Sequence, residues 1–188
     1  MFEGRVWCVE DDISTDLILP VIVDRQAREE RPKFMFSAIR PGWAEQVRQG
    51  DILVAGNNFG MGSSRPAAQV MKDLGLTCLI AESLNGLFFR SCINYAFPAL
   101  EVPGARDAFV EGDEAEVDFI GGTVRNRRTQ VSLRGQPWPE PALAVWRAGG
   151  LVEQLDQQGL LQPAGWAPTG GGTDITNHSG PTTDGVRT

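Results

Sequence analysis

DILVAGNNFGMGSSRPAAQVMKDLGLTCLIAESLNGLFFRSCINYAFPALEV, residues 51–102, decides the fold. It opens on a compact run of β-formers, Asp51-Ile52-Leu53-Val54-Ala55, and passes into a glycine-rich loop over 56–65. Pro66 opens a helix with Ala67, Ala68, Val70, Met71 and Leu74 on one side, and Gly75 closes it. Residues 77–81 then read as strand, 84–95 as helix and 97–102 as strand. Strand, helix, strand, helix, strand in such short units predicts a parallel α/β core with helical crossovers.

Upstream, residues 4–10 (Gly-Arg-Val-Trp-Cys-Val-Glu) read as a further strand. Residues 11–16 form an acidic turn, and a short apolar run, Leu17-Ile18-Leu19, is stopped by Pro20. Residues 21–41 carry Arg25, Arg28, Glu29, Glu30, Arg31 and Lys33 and read as a mobile, irregular loop with room for a helical turn; a short helix is expected at 43–48. Downstream, 114–120, 123–127 and 129–133 alternate with period two around Gly121-Gly122, which predicts an antiparallel hairpin or meander added to the parallel core. Residues 141–158 read as helix. The chain is thus expected to hold one α/β domain over 1–160 and a Gly/Thr/Pro-rich tail over 161–188, too poor in apolar residues to pack on its own.

Composition excludes several functions. The 188 residues carry a net charge of -7, which disfavours binding to nucleic-acid phosphates. No run reaches the ~18 apolar residues of a membrane helix, and Met1-Phe2-Glu3-Gly4-Arg5 does not begin a secretory signal. Cys8, Cys78 and Cys92 are odd in number and form no C-x-x-C pair, so neither a disulfide framework nor a metal or cluster site built by this chain alone is expected; the thiols suit a reduced cytoplasmic compartment. The sole histidine, His178, lies in the tail, which argues against Ser-His-Asp, Cys-His and His-ligated metal chemistry.

The chemistry concentrates in Gly56-Asn57-Asn58-Phe59-Gly60-Met61-Gly62-Ser63-Ser64-Arg65-Pro66. Glycines let a backbone turn sharply and approach a ligand. A proline at the first helical position makes Arg65 the expected N-cap. Helix-start N–H groups, two hydroxyls and a guanidinium together favour an anion, carboxylate or phosphate. The spacing is that of neither a P-loop nor a G-x-S-x-G elbow.

Gly60-Met61-Gly62-Ser63-Ser64-Arg65 resembles the G-x-G-S-S-R signature shared by the aconitase swivel domain and the small subunit of isopropylmalate dehydratase. Asp12-Ile13-Ser14-Thr15-Asp16-Leu17-Ile18-Leu19-Pro20 resembles that family's D-I-x-T-D-x-I-x-P segment. Ile80-Ala81-Glu82-Ser83, Phe88-Phe89-Arg90-Ser91, Asn94-Tyr95-Ala96-Phe97-Pro98 and Gly149-Gly150-Leu151 follow in the family's order, so the likeness spans about 4–155. The resemblance implies a swivelling β/β/α domain and a larger partner subunit holding a [4Fe-4S] cluster. The reaction implied is reversible dehydration of a hydroxy-di- or tricarboxylate.

On the same resemblance Ser63 is the base. Ser64 and Arg65 bind substrate carboxylates, with Gly60, Gly62 and Asn58 around them. Thr15 and Asp16 either cap a turn or position the serine loop. Arg25 and Arg28 either are solvated or help choose the substrate's side group. The family commonly has Glu, then His or Gln, then Ala after the signature arginine; here Pro66-Ala67-Ala68-Gln69 stands instead. Val21-Ile22-Val23-Asp24-Arg25 likewise lacks the Tyr-Leu motif frequent in isopropylmalate enzymes, so dimethylmalate, citramalate and homocitrate-type acids stand beside isopropylmalate as substrates. From a different class, a non-catalytic anion-binding or regulatory module would need the same donors but no base.

Overall fold

A computed structural model of the chain describes residues 1–62 and 65–161. Seven strands form one sheet: β1 (Phe2–Cys8), β2 (Ile52–Ala55), β3 (Cys78–Ala81), β4 (Ala99–Glu101), β5 (Glu114–Asp118), β6 (Thr123–Asn126) and β7 (Ser132–Arg134), in the order β4-β3-β2-β1-β5-β6-β7. The parallel half is β1 to β4, as expected from the 51–102 alternation. β2 and β3 are buried at every position, which is why their sequences read as unbroken apolar runs rather than alternating ones.

The antiparallel addition is a three-stranded meander, and β1 joins it to the parallel half. The first residues of β1 pair antiparallel with β5 (Phe2 opposite Val117, Arg5 opposite Glu114). Its last ones pair parallel with β2 (Val6 opposite Ile52, Cys8 opposite Val54). β5 and β6 alternate buried and less buried positions, as one-sided strands should.

The helices are α1 (Thr15–Ile18), α2 (Ala67–Leu74), α3 (Gly86–Asn94), α4 (Ala105–Ala108), α5 (Glu140–Ala148) and α6 (Leu151–Gln157). α2, α3, α5 and α6 pack on one another in sequence, and α4 lies against β2 and β3. α3 starts where the Asn85 side chain accepts a hydrogen bond from the Leu87 N–H at 3.1 Å. α2 stops at Gly75, which takes the left-handed conformation (φ 108°) that glycine accepts without penalty. The helical stretch expected at 141–158 is divided into two helices, because Gly149 and Gly150 both adopt positive φ between them.

After β7 the chain crosses to the free edge of β4. The Gln136 N–H donates to the Glu101 carbonyl at 3.1 Å, and the Trp138 indole N–H donates to the Ala99 carbonyl at 2.7 Å. Trp138 is buried and meets Phe89 and Phe119 edge-on at 5.5 and 4.9 Å, with Trp146 beyond Phe119. This aromatic group ties α3 and α5 to the meander.

Two expectations need correction. Residues 21–41 hold more than the helical turn allowed for in an irregular loop: 3-10 turns run over Val21–Arg25 and Arg28–Phe34, and Val23, Met35 and Phe36 are buried. Three apolar anchors at irregular spacing suffice to hold the segment down, and no helical or strand period reveals them. Arg65 is not the N-cap of α2 either. Pro66 occupies that position (φ -76°, ψ 47°) with no side-chain cap, and the helix begins at Ala67. The tail expected at 161–188 lies, from residue 162 onward, outside the described residues.

Candidate functional site

In parallel sheets the connections that leave the carboxyl ends of strands form the binding crevice. Three such connections meet here: 9–14 after β1, 56–66 after β2 and 82–85 after β3. Backbone bonds lace them together. The Asp12 N–H donates to the Asn57 carbonyl (2.9 Å), Gly60 to Ile13 (2.7 Å), Thr15 to Met61 (2.6 Å), Phe59 to Ser83 (3.1 Å) and Asn85 to Phe59 (2.8 Å). Side chains add to this. The Asn57 N–H donates to the Asp11 carboxylate (2.6 Å) and the Asn58 N–H to the Ser83 hydroxyl (2.8 Å).

Two glycines are required by what lies against them. At Gly60 (φ +85°) a Cβ would stand 2.3 Å from Cγ of Phe88, whose ring is buried and packed edge-on to Phe59 at 5.3 Å. At Gly62 (φ +87°) it would stand 2.8 Å from the hydroxyl of Thr15, itself buried at the start of α1. Ser14 caps α1 by accepting from the Leu17 N–H at 3.2 Å, so Thr15 is presented to the loop from a fixed helical turn. Ser63 and Ser64, the residues expected to react with and bind substrate, lie outside the described residues.

Beyond them, the Arg65 side chain is only 9% exposed. Its Nε donates to Asp16 Oδ1 at 2.7 Å, and its Nη1 donates to both oxygens of Asp24 at 3.2 and 3.1 Å. The pair with Asp16, then the charge of Asp24, hold the guanidinium pKa above its ordinary value. The arginine is already engaged by two carboxylates, in the manner in which it would grip a substrate's.

The expected residues fall into two groups. Gly60, Gly62, Thr15, Asp16 and Arg65 come together. Asn58 lies in the same loop, with its amide Nδ2 2.9 Å from Asp12 Oδ1 and 2.8 Å from the Met61 sulfur. Arg28 instead reaches the far half of α2, where it forms a two-bond pair with Asp73 at 3.0 and 3.1 Å. Arg25 is exposed, and no hydrogen bond involves its side chain among the described residues. Asp24 was missed. It is one acid among many charges between 21 and 33, and a pair 41 positions apart leaves no local pattern in a sequence.

The cysteines do not form a ligand set for iron: Cys78 and Cys92 are fully buried, and Cys8 is half-buried with its Sγ 3.9 Å from the Phe109 carbonyl. Burial pushes the Cys8 thiol up to about 11, so it is no thiolate at neutral pH. Among the described residues no three His, Cys, Asp or Glu side chains gather as metal ligands. No helix among them is long and apolar enough to cross a membrane.

Fold and site together define an aconitase-type α/β domain that presents a glycine-rich loop and a gripped arginine at its strand ends. The model of the aconitase C-terminal domain matches residues 23–104. The chain is 39% identical to 3-isopropylmalate dehydratase small subunit 1 of Methanopyrus kandleri over 161 residues, covering 85% of this chain and 95% of that one. It is 38% identical over 160 residues to the isopropylmalate/citramalate isomerase small subunit of Methanocaldococcus jannaschii, covering 84% and 95%. The crystal structure of a 3-isopropylmalate dehydratase from the latter organism superposes with a TM-score of 0.79 at 28% identity, over 85% of this chain and 95% of that one. The chain belongs to the family of 3-isopropylmalate dehydratase small subunits.

Proposed function

We propose that this chain is the small subunit of a heteromeric hydro-lyase that interconverts a substituted malate and its unsaturated acid, with 3-isopropylmalate the leading substrate. Related malates such as citramalate come next; one similar small subunit is named for both acids. The observation that carries the reading is the meeting of two segments far apart in the chain. Gly62 rests on Thr15, and Arg65 grips Asp16, so both ends of the Ser63-Ser64 pair are anchored by the 12–16 turn.

In this reading Ser63, as an alkoxide, takes the proton from the carbon α to a substrate carboxylate, and hydroxide departs from the neighbouring carbon. Addition of water across the resulting double bond in the other sense completes an isomerisation. A serine hydroxyl is a very weak acid, so its anion needs donors and positive charge close by. The start of α2, which has no acidic residue in its first turn, and Arg65 are suited to that. Arg65 and Ser64 hold a substrate carboxylate, which must take the place of Asp24 on the guanidinium.

A [4Fe-4S] cluster, carried by the larger subunit on its own cysteines, would supply the Lewis acid for the departing hydroxyl. The free thiols of this chain accord with a cytoplasmic setting. Ser63→Ala in the complex reconstituted with the large subunit is expected to lower turnover by roughly 10²–10⁴-fold while assembly persists. Near-full activity would remove the base and favour a non-catalytic, anion-binding role for the loop.

A further inference from the structure

A hollow of about 480 Å³ opens at the carboxyl end of β1. It draws on the turn after that strand but not on Arg65. Val9, Ile13, Ile39 and Val110 give it apolar walls, and Ile39 and Val110 leave part of that surface open to solvent. Arg40 and Arg106 also line it. An apolar hollow with a few convergent polar groups is the usual form of a small-molecule site, and the size falls in the ~300–1,000 Å³ range of such sites.

The two arginines differ in how far they are used. Arg40 is saturated: Nη1 and Nη2 donate to the two oxygens of Glu111 at 2.7 and 2.8 Å, and Nη1 also reaches the Cys8 carbonyl at 3.3 Å. Arg106 is not. Its Nη2 donates to Glu10 Oε1 at 2.7 Å, while its Nε–H is buried and has no acceptor among the described residues. Nε and Nη2 form the edge of a guanidinium that grips a carboxylate with two parallel bonds, as Arg28 grips Asp73 in this same chain. Glu10 takes only half of that edge, and it is 79% exposed, so its hold on Arg106 is weak. A buried donor without a partner costs stability that a second acceptor would recover.

We propose that this hollow is a binding site for a small apolar monocarboxylate, whose carboxylate displaces Glu10 from Arg106 and whose hydrocarbon chain lies against Val9, Ile13, Ile39 and Val110. Once Glu10 lets go, the guanidinium is free to turn its Nε–Nη2 edge into the hollow and make both bonds to one carboxylate. The ligand carries one charge and no more, because the walls opposite Arg106 offer nothing to a second carboxylate. That separates this site from a site for di- and tricarboxylates at the signature loop, and the inference does not rest on the hydro-lyase reading. A ligand here abuts the turn that anchors that loop, since the Ile13 carbonyl accepts from the Gly60 N–H at 2.7 Å.

The test titrates the full chain with pentanoate, with pentanamide as its uncharged counterpart and with glutarate as the diacid of equal carbon count. Calorimetry gives the affinities, and the methyl resonances of Ile39 and Val110 report which ligand enters the hollow. Pentanoate is expected to shift those resonances and glutarate to leave them in place; pentanamide should bind roughly tenfold more weakly or worse. Arg106→Gln is expected to weaken pentanoate by roughly 10–100-fold, the loss of a charge-assisted pair. The fold should survive that change, because the backbone N–H of residue 106, which donates to Glu82 at 2.7 Å, is retained. Glu10→Gln should tighten pentanoate by about two- to fivefold, since the competing carboxylate is gone.

Equal binding of pentanoate by wild type and Arg106→Gln overturns the proposal, as does the absence of any pentanoate shift at Ile39 and Val110. Glutarate moving those resonances as readily as pentanoate would remove the restriction to one charge. Weaker binding in Glu10→Gln would show that Glu10 holds the ligand rather than yields to it. Repeating the titration on the complex with the large subunit gives the last outcome: pentanoate binding that vanishes on assembly would make the hollow a contact for the partner and not a ligand site. Each of these can occur while Ser63→Ala still abolishes turnover, so the two readings fail separately.

Discussion

Asp24 offers the sharpest test of how the signature arginine works. If Asp24 occupies the place of a substrate carboxylate, Asp24→Asn should help binding rather than harm it. The pair that is lost consists of two contacts at 3.2 and 3.1 Å to one nitrogen, from a carboxylate 60% exposed to solvent. Exposed ion pairs of that kind contribute about 0–1 kcal/mol, and removing the negative charge also relieves repulsion of the incoming anion. A net gain of about 1 kcal/mol lowers KM about fivefold.

The 2.7 Å bond to Asp16 remains in this variant, so the arginine keeps its orientation and kcat should hold. The assay is initial-rate dehydration in the reconstituted complex across substrate concentration, followed in the ultraviolet. Repeating it at high salt should shrink the difference between variant and wild type, because exposed charges are screened. A raised KM would refute the reasoning, since Asp24 would then be orienting the fork for substrate. An unchanged KM at low salt would equally sink the idea of competition.

Gly60→Ala should destabilise the fold by about 2–4 kcal/mol, combining left-handed strain with overpacking against Phe88; the denaturation midpoint reads it, and a shift within error would mean the loop yields freely. The Arg128 guanidinium, at 2.5 Å, holds the Asp113 carboxyl down to about 2 from the ordinary 3.8. A depressed folded-state pKa stabilises above the unfolded value and is lost on acidification, so stability should fall as pH drops from about 4 to about 2. Asp113→Asn should flatten that limb, and an unaltered acid slope would show that other carboxylates set it.

The crossover units were legible because their signals are local. Ile52-Leu53-Val54-Ala55 and Cys78-Leu79-Ile80-Ala81 announce buried parallel strands, and Gly75 announces a helix end. The anchored ends of the loop were legible too, since Thr15, Asp16, Gly62 and Arg65 belong to the two motifs that carried the resemblance. The residues that close over them were not. Val23, Met35 and Phe36 hold the 21–36 segment to the core through widely spaced anchors, and Asp24 thereby arrives beside Arg65. Such placement depends on the tertiary path of the segment, which propensities do not encode. Pro66 misled for a related reason: the preference of proline for the first helical turn is statistical, and here the helix begins one residue later.

The chain that crosses from β7 to β4 has a consequence for a subunit that must wait for its partner. An open sheet ends in two rows of unpaired peptide groups, each a template on which another copy can stack. Here the outer strands are three residues long each, and the Gln136 and Trp138 donors occupy carbonyls along the outer edge of β4. Made in excess, the small subunit should therefore linger as a dispersed pool rather than seed fibrils, leaving supply of the larger chain to limit how much enzyme forms.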